Sequence, residues 1–265
     1  MAASVLFACG LNEQKLPNFV HISEESNVDG SFLISCILGQ RLRISNAGTV
    51  LVCLQHNYQH YFHAGMRLGY NVNLFLGKTL NVIDPLTEIG REGINCKWLQ
   101  NERNVTTLLL DAVRAHINAS VTQRNSTTII IDNLAILFNL GATKQEVLQL
   151  CHELAELPKQ YANLGVITKM SNCDLYEPVD NNVAKLGTLR IRAAQLKSGV
   201  SRDVDGKLLI EREVIERGEQ EKGGELEQVL ENGGYDLEIV RKEVLYKVND
   251  RNVKIMSPGE IGVRV

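Results

Sequence analysis

Two glutamates and an aspartate occupy a turn that elsewhere would need glycine, lysine and a hydroxyl. The stretch His21–Leu33, HISEESNVDGSFL, runs from an extended segment through a tight polar turn into an amphipathic helix. That is a setting in which a helix N-terminus holds phosphate. The loop that does so reads GxxxxGK[ST]: its glycines let backbone N–H groups converge, its lysine neutralises charge and its hydroxyl binds magnesium. Placing Gly30 on the second glycine puts Glu25 at the first, Ser31 at the lysine and Phe32 at the hydroxyl, so only Gly30 fits. Glu24, Glu25 and Asp29 would also face the phosphate. Two like charges about 4 Å apart at an effective dielectric near ~20 repel by roughly 4 kcal/mol, which reverses ordinary affinity.

A second element is Thr127–Asp132, TTIIID, a buried-type strand ending in an acid. A strand of this form holds magnesium through its water shell in nucleotide hydrolases. The alternative is an aspartate that satisfies backbone N–H groups at a strand end. Without the lysine and the hydroxyl, the structural role of Asp132 is the expected one. His56, His60 and His63 stand at spacings of four and three, which can converge on zinc. Arg67 shares their stripe and opposes a dication, so a polar face or a contact surface is expected there and no metal is assigned. Glu146, Glu153 and Glu156 read as a solvated helix face, and Tyr58 and Tyr176 could stack on bases. No Ser-His-Asp or Cys-His arrangement can be assembled, so neither a catalytic residue nor a cofactor is assigned.

The elements that would position these residues alternate. Phe19–Ser23, Thr49–Leu54, Val72–Leu76, Thr127–Ile131 and Leu164–Thr168 are predicted strands, and Ser31–Ile44, Tyr58–Leu68, Val105–Ala119 and Thr143–Leu157 are predicted helices, with Asp29 available to cap the first. Continuous β-branched runs such as TVLVCL mark parallel strands covered on both faces. After Leu186, Thr188–Leu196, Lys207–Val214, Glu243–Val248 and Val253–Met256 read as antiparallel strands, with Asp205-Gly206 and Asn249-Asp250 as turn signals. The expectation is an α/β fold, a mostly parallel central sheet flanked by helices with antiparallel C-terminal strands, in one domain over 1–265. Residues 216–238, rich in Glu, Gly and Gln, are predicted to be a disordered acidic loop within it.

The formal charge of -3 conceals an asymmetry: 211–238 carries ten acidic and three basic residues, which leaves 25 basic against 21 acidic in the remainder. A mildly basic body permits nucleic-acid contact. Cys9, Cys36, Cys53, Cys96, Cys151 and Cys173 lie far apart with no CxxC pair, as expected of reduced, buried thiols in the cytosol or nucleus. No signal peptide is read at the N-terminus, because Val5–Cys9 is short and no basic residue precedes Lys15. No run approaches the ~18 apolar residues of a membrane span.

In RecA-like ATPases the strand after the first helix ends in a glutamate that activates water. By resemblance that position here is Gln55, within LVCLQHN, and an amide cannot take the proton. The segments NVDGSFL, HNYQHYFHAGMRLG, TIIIDNLAILFNLG and RIRAAQLKSGVSRDVDGKLLI, in their order and spacing, resemble the family of the sixth subunit of the Elongator complex, a RecA-like protein without a phosphate-binding loop. The resemblance covers most of the chain except the extreme N-terminus and the acidic loop. It implies a non-catalytic subunit in a ring with Elongator subunits four and five, two copies of each. That ring binds tRNA and serves the catalytic subunits that modify wobble uridine (U34). Arg190 and Arg192 alternate onto one strand face, followed by Lys197, Arg202 and Lys207. The loop here tends to face the channel of RecA-like rings, which makes these five the candidates for RNA contact, Lys197 and Arg202 foremost. The alternative is an NTPase whose degenerate site a neighbouring subunit completes.

Overall fold

The computed structural model describes residues 3–13, 15–100, 104–121, 124–196, 199, 201–216 and 236–258. Nine strands join in one sheet: β1 Phe19–Glu24, β2 Ala47–Val52, β3 Leu80–Ile83, β4 Ser126–Ile131, β5 Leu164–Ser171, β6 Leu189–Ala194, β7 Gly206–Glu216, β8 Asp236–Asn249 and β9 Asn252–Met256. Their spatial order is β3-β2-β4-β5-β1-β6-β7-β8-β9. Pairing is parallel from β3 through β6 and antiparallel from β6 through β9. The expected α/β architecture, with its antiparallel C-terminal extension, is therefore present.

Residues of the parallel strands divide between two cores, while Leu245 of β8 and Met256 of β9 join a small third cluster with Leu196 and Val204. Ile22, Leu51, Ile130 and Ile167 point to a face covered by α1 (Ala3–Ala8), α2 (Ser31–Arg43) and α3 (Tyr58–Arg67). Val50, Val52, Ile129, Ile131 and Val166 point to the face covered by α5 (Val105–Val121), α7 (Lys144–Gln160) and α8 (Glu177–Ala184), which follow the short α4 (Pro85–Glu92) and precede or flank the single turn of α6 (Ile136–Asn139). Every residue of β1 and β2 is buried, and covering on both faces is why β2 is a continuous small and apolar run, whereas β1 also buries His21, Ser23 and Glu24. Ile129, Ile130 and Ile131 are all wholly buried, each side chain contributing roughly 1.5–3 kcal/mol. Helix α7 begins with a capping box, in which Thr143 and Glu146 satisfy each other's backbone N–H groups.

Helices α2 and α3 approach closely because glycine stands where Tyr70 inserts. A Cβ on Gly39 would lie 2.4 Å from the Tyr70 ring, and one on Gly65 would lie 2.8 Å from it. The Tyr70 hydroxyl donates to the Ser35 carbonyl at 2.6 Å.

Three expectations are corrected. The predicted strand Val72–Leu76 is a 3-10 turn at Val72–Leu74 capped by Asn71, and the true third strand is Leu80–Ile83. Leu74 and Leu76 are exposed, and Gly77, at φ 70°, turns the chain before the strand begins. Asp205-Gly206 is not a two-residue turn: Gly206 is the first residue of β7, opposite Tyr246, and Asp205 accepts the Val248 N–H and the Lys247 ammonium. Cys173 is exposed, although the other five thiols are buried, and all six are free. Around the predicted acidic loop, β7 extends to Glu216 and β8 begins at Asp236; the intervening 217–235 lie outside the described residues.

Candidate functional site

The C-terminal ends of β1, β4 and β5 bring Glu24, Asp132 and Lys169 to one edge of the sheet. This is the crevice where open parallel sheets take their ligands. Here the crevice is occupied by the chain's own side chains. The Gly30 N–H, at the start of α2, donates to Glu24 Oε2 at 2.9 Å. The Lys169 ammonium donates to the same oxygen at 2.7 Å and to Gln55 Oε1 at 2.9 Å. Asn133 donates through Nδ2 to Gln55 Oε1 at 3.1 Å and to Ser171 Oγ at 2.7 Å, and the Ser171 hydroxyl donates to Glu24 Oε1. Glu24, Lys169, Gln55, Asn133 and Ser171 thus close a ring of hydrogen bonds. The Lys169 side chain is completely buried and that of Glu24 nearly so, at 0% and 6% exposure. A carboxylate and an ammonium buried together hold one another's charge, as either alone could not.

The other two acids of the turn are also used locally. Asp29 accepts the Ser31 N–H at 2.8 Å, which satisfies a donor at the start of α2. Burial pushes the Asp29 carboxyl up, but the Ser31 hydrogen bonds and the Lys169 and His56 charges outweigh it, and its pKa sits below the ordinary value. Glu25 accepts the Gln195 N–H at 3.3 Å and lines a polar hollow with Arg192 and Glu177. Phe32, at the hydroxyl position of a phosphate-binding loop, packs against Tyr246 with ring centroids 4.8 Å apart. Ser31, at the lysine position, has its Oγ 3.1 Å from His56 Nε2.

Asp132 is wholly buried and accepts four hydrogen bonds. Oδ1 takes the N–H groups of Leu54 and Gln55 at 2.7 and 3.0 Å; Oδ2 takes the His56 N–H and the Tyr61 hydroxyl, each at 3.0 Å. Burial raises its pKa, with the four donors opposing the rise. Those donors fill both oxygens and bind the β2–α3 connection to the end of β4.

Of the histidines, His56 and His60 stack at 3.9 Å, whereas His63 meets Phe62 edge-on. Among the described residues no three His, Cys, Asp or Glu side chains converge as metal ligands. Burial lowers the pKa of both His56 and His60, and the neighbouring His56 adds to the fall at His60. Tyr176 lies flat on Phe138 at 4.4 Å, and the Tyr58 hydroxyl donates to Asn73. Glu146 belongs to the capping box, while Glu153 pairs with Arg114 and Glu156 with Lys159.

The candidate RNA-contact residues do not share one environment. Arg190 donates to the Ala184 carbonyl at 2.7 Å and pairs with Glu213 at 2.5 Å; Lys207 is largely buried and pairs with Glu243 at 3.3 Å. Both charges are committed within the fold. Arg192 and Arg202 are exposed, and Lys197 lies outside the described residues. Sequence reading misses Lys169, because the predicted fifth strand ends at Thr168, three residues short of Ser171. A lone lysine continuing the apolar run LGVIT, with an acid closing the first strand, was the available signal.

The family described as Elongation complex protein 6 matches residues 4–230. A protein from Drosophila melanogaster named Elongator complex protein 6 is 62% identical over 267 residues, covering 100% of both chains. A Xenopus laevis protein of the same name is 28% identical over 251 residues, covering 89% of this chain and 88% of its own. Among solved structures, a KaiC-like protein from the hyperthermophile Pyrococcus horikoshii superposes with a TM-score of 0.59 at 6% identity, covering 92% of this chain and 90% of that one. The last likeness is one of fold, and the fold is RecA-like.

Proposed function

The chain belongs to the Elongation complex protein 6 family, and from that premise we propose that it is an accessory, non-catalytic subunit of the Elongator complex. In this reading it joins subunits four and five, two copies of each, in a RecA-like ring. The ring binds tRNA and supports the subunits that modify wobble uridine, in the cytoplasm and the nucleus. The observation that carries the non-catalytic part is the Glu24–Lys169 pair at 2.7 Å. A carboxylate already accepts the N–H at the start of α2, and a bound phosphate would have to displace it and separate it from its ammonium. Gln55 supports the same reading, since both lone pairs of its carbonyl oxygen are taken by Lys169 and Asn133. For RNA contact, Arg192 and Arg202 are the exposed candidates, and Lys197 keeps its standing from sequence.

The test is to tag the chain in its own cells, measure the native mass of what it purifies with, and identify the companions. A stoichiometric assembly of about six similar-sized subunits that binds tRNA with a strong salt dependence is the expected result. A lone monomer that hydrolyses ATP, with hydrolysis lost in Asp132→Ala, would refute the reading. The competing idea of a site shared across a ring interface predicts hydrolysis that appears only in the assembly and disappears with Glu24→Ala or Asp132→Ala in this subunit.

A further inference from the structure

A second cleft, of about 210 Å³, opens at the base of the sheet, among the loops that lead into the strands and at the opposite end from the Glu24–Lys169 ring. Lys15 precedes β1 there, Arg41 comes from the last turn of α2, and Asn125, Ser126 and Thr128 come from the start of β4. Among the described residues lining it there are two cations and no carboxylate; the remaining polar groups are hydroxyls, carboxamides and backbone.

Arg41 gives the cleft its character. Its side chain is among the largest buried in the chain, at 1% exposure, and its Nη2 donates to Ser126 Oγ at 2.8 Å. Because Ser126 accepts in that bond, its own hydroxyl proton is left to donate. Burial lowers the Arg41 pKa to about 10, so the guanidinium stays charged at neutral pH. The loops around it are tied together: Arg124 donates to the Lys78 carbonyl at 2.8 Å, and Asn163 donates through Nδ2 to the Arg124 carbonyl at 2.9 Å. A third cation, Arg124, thereby sits in the chain beside Asn125 and adds to the same positive field. A cleft with buried positive charge, the Ser126 hydroxyl as donor and no carboxylate among its described lining residues favours an oxyanion. Its volume lies below the ~300 Å³ at which pockets begin to enclose drug-sized ligands, which favours a single phosphate group over a whole nucleotide.

We propose that this basal cleft is a binding site for one phosphate group, with Arg41 and Lys15 supplying charge and the Ser126 hydroxyl supplying a directed donor. A free phosphate ion and a backbone phosphate of a nucleic acid present the same oxyanion, so the site does not depend on the RNA role proposed above.

The test uses the full chain and inorganic phosphate at fixed ionic strength, balanced with chloride, followed by phosphorus NMR and by melting temperature. Saturable line broadening with a rise in melting temperature is expected for the wild type. Lys15→Glu, at an exposed position, keeps the fold and weakens binding by at least about tenfold, as loss of a charged hydrogen bond implies. Arg41→Met removes binding, and should it fail to fold, Lys15→Glu decides alone. Non-saturating broadening, or identical behaviour in wild type and Lys15→Glu, overturns the proposal. A short single-stranded RNA that displaces phosphate from the wild type and binds Lys15→Glu more weakly assigns the site to a backbone. Retention of phosphate in the presence of that RNA assigns it to the free ion.

Discussion

Replacing Lys169 by methionine tests whether the nucleotide edge is held from within. The substitution keeps an unbranched side chain of similar length and so opens no large cavity. It leaves the Glu24 carboxylate buried without its ammonium, a change that costs about 3–5 kcal/mol for buried pairs. Two features place this case towards the lower end: Glu24 keeps the Gly30 N–H and the Ser171 hydroxyl. One raises it again, because Gln55 Oε1 loses a donor, worth about 1 kcal/mol. A loss of about 3–4 kcal/mol follows. For a domain of this size each kcal/mol moves the melting temperature by roughly 2–4 °C, so a fall of about 6–16 °C is expected. Urea unfolding of wild type, Lys169→Met, Glu24→Gln and the double variant isolates the pair, with a coupling of at least about 2 kcal/mol expected between neighbours in one network. A single-variant cost below about 1 kcal/mol with no coupling would mean that the ammonium reaches water. The account of the crevice would then be wrong. So would a wild-type melting temperature raised by magnesium and ATP.

Asp132→Asn places an amide N–H₂ where the His56 N–H and the Tyr61 hydroxyl donate; two donors are left facing donors, and urea unfolding should report a loss of about 2–4 kcal/mol. The stacked His56–His60 pair predicts a pH dependence: both pKa values fall below the ordinary 6.5, so below that value the unfolded chain binds more protons than the folded one. Stability is then complete above the unfolded pKa and declines as pH falls from 6.5 towards the folded values; His60→Gln flattens that slope in melting curves, and an unchanged slope would count against the stacked pair as its source. Gly39→Ala drives a methyl into the Tyr70 ring and should cost about 1–3 kcal/mol, with Tyr70→Leu in the same background recovering part of it by calorimetry.

The parallel sheet, its antiparallel extension and the lack of a phosphate-binding lysine and hydroxyl after β1 were legible in the sequence, since those depend on local pattern. TTIII is continuously β-branched, as suits a strand covered on both faces, and a missing lysine and hydroxyl can be read without coordinates. The third strand was misread because VNLFL carries the composition of a strand while Asn71 and Gly77 shape it as a turn. Whether a side chain is buried depends on which elements later cover it, and residues 72–76 are left at the margin. Asp29 meets Ser31 two residues on, but the partners of Glu24 and Asp132 lie beyond local pattern. Glu24 meets Lys169 across 145 positions and Asp132 meets the β2–α3 turn across some 76 to 78. Only the packing of β2, β4, β5 and β1 side by side brings those groups within hydrogen-bond reach. The same packing decided the arginines: Arg190 and Lys207 looked like free cations along the chain, but pairing of β6, β7 and β8 sets Glu213 and Glu243 beside them. The chain's charges are legible in its sequence, and a pair within one helix such as Glu156–Lys159 is within reach of local spacing, but tertiary structure decided the buried and cross-strand pairs, because only packed strands bring those residues within hydrogen-bond distance.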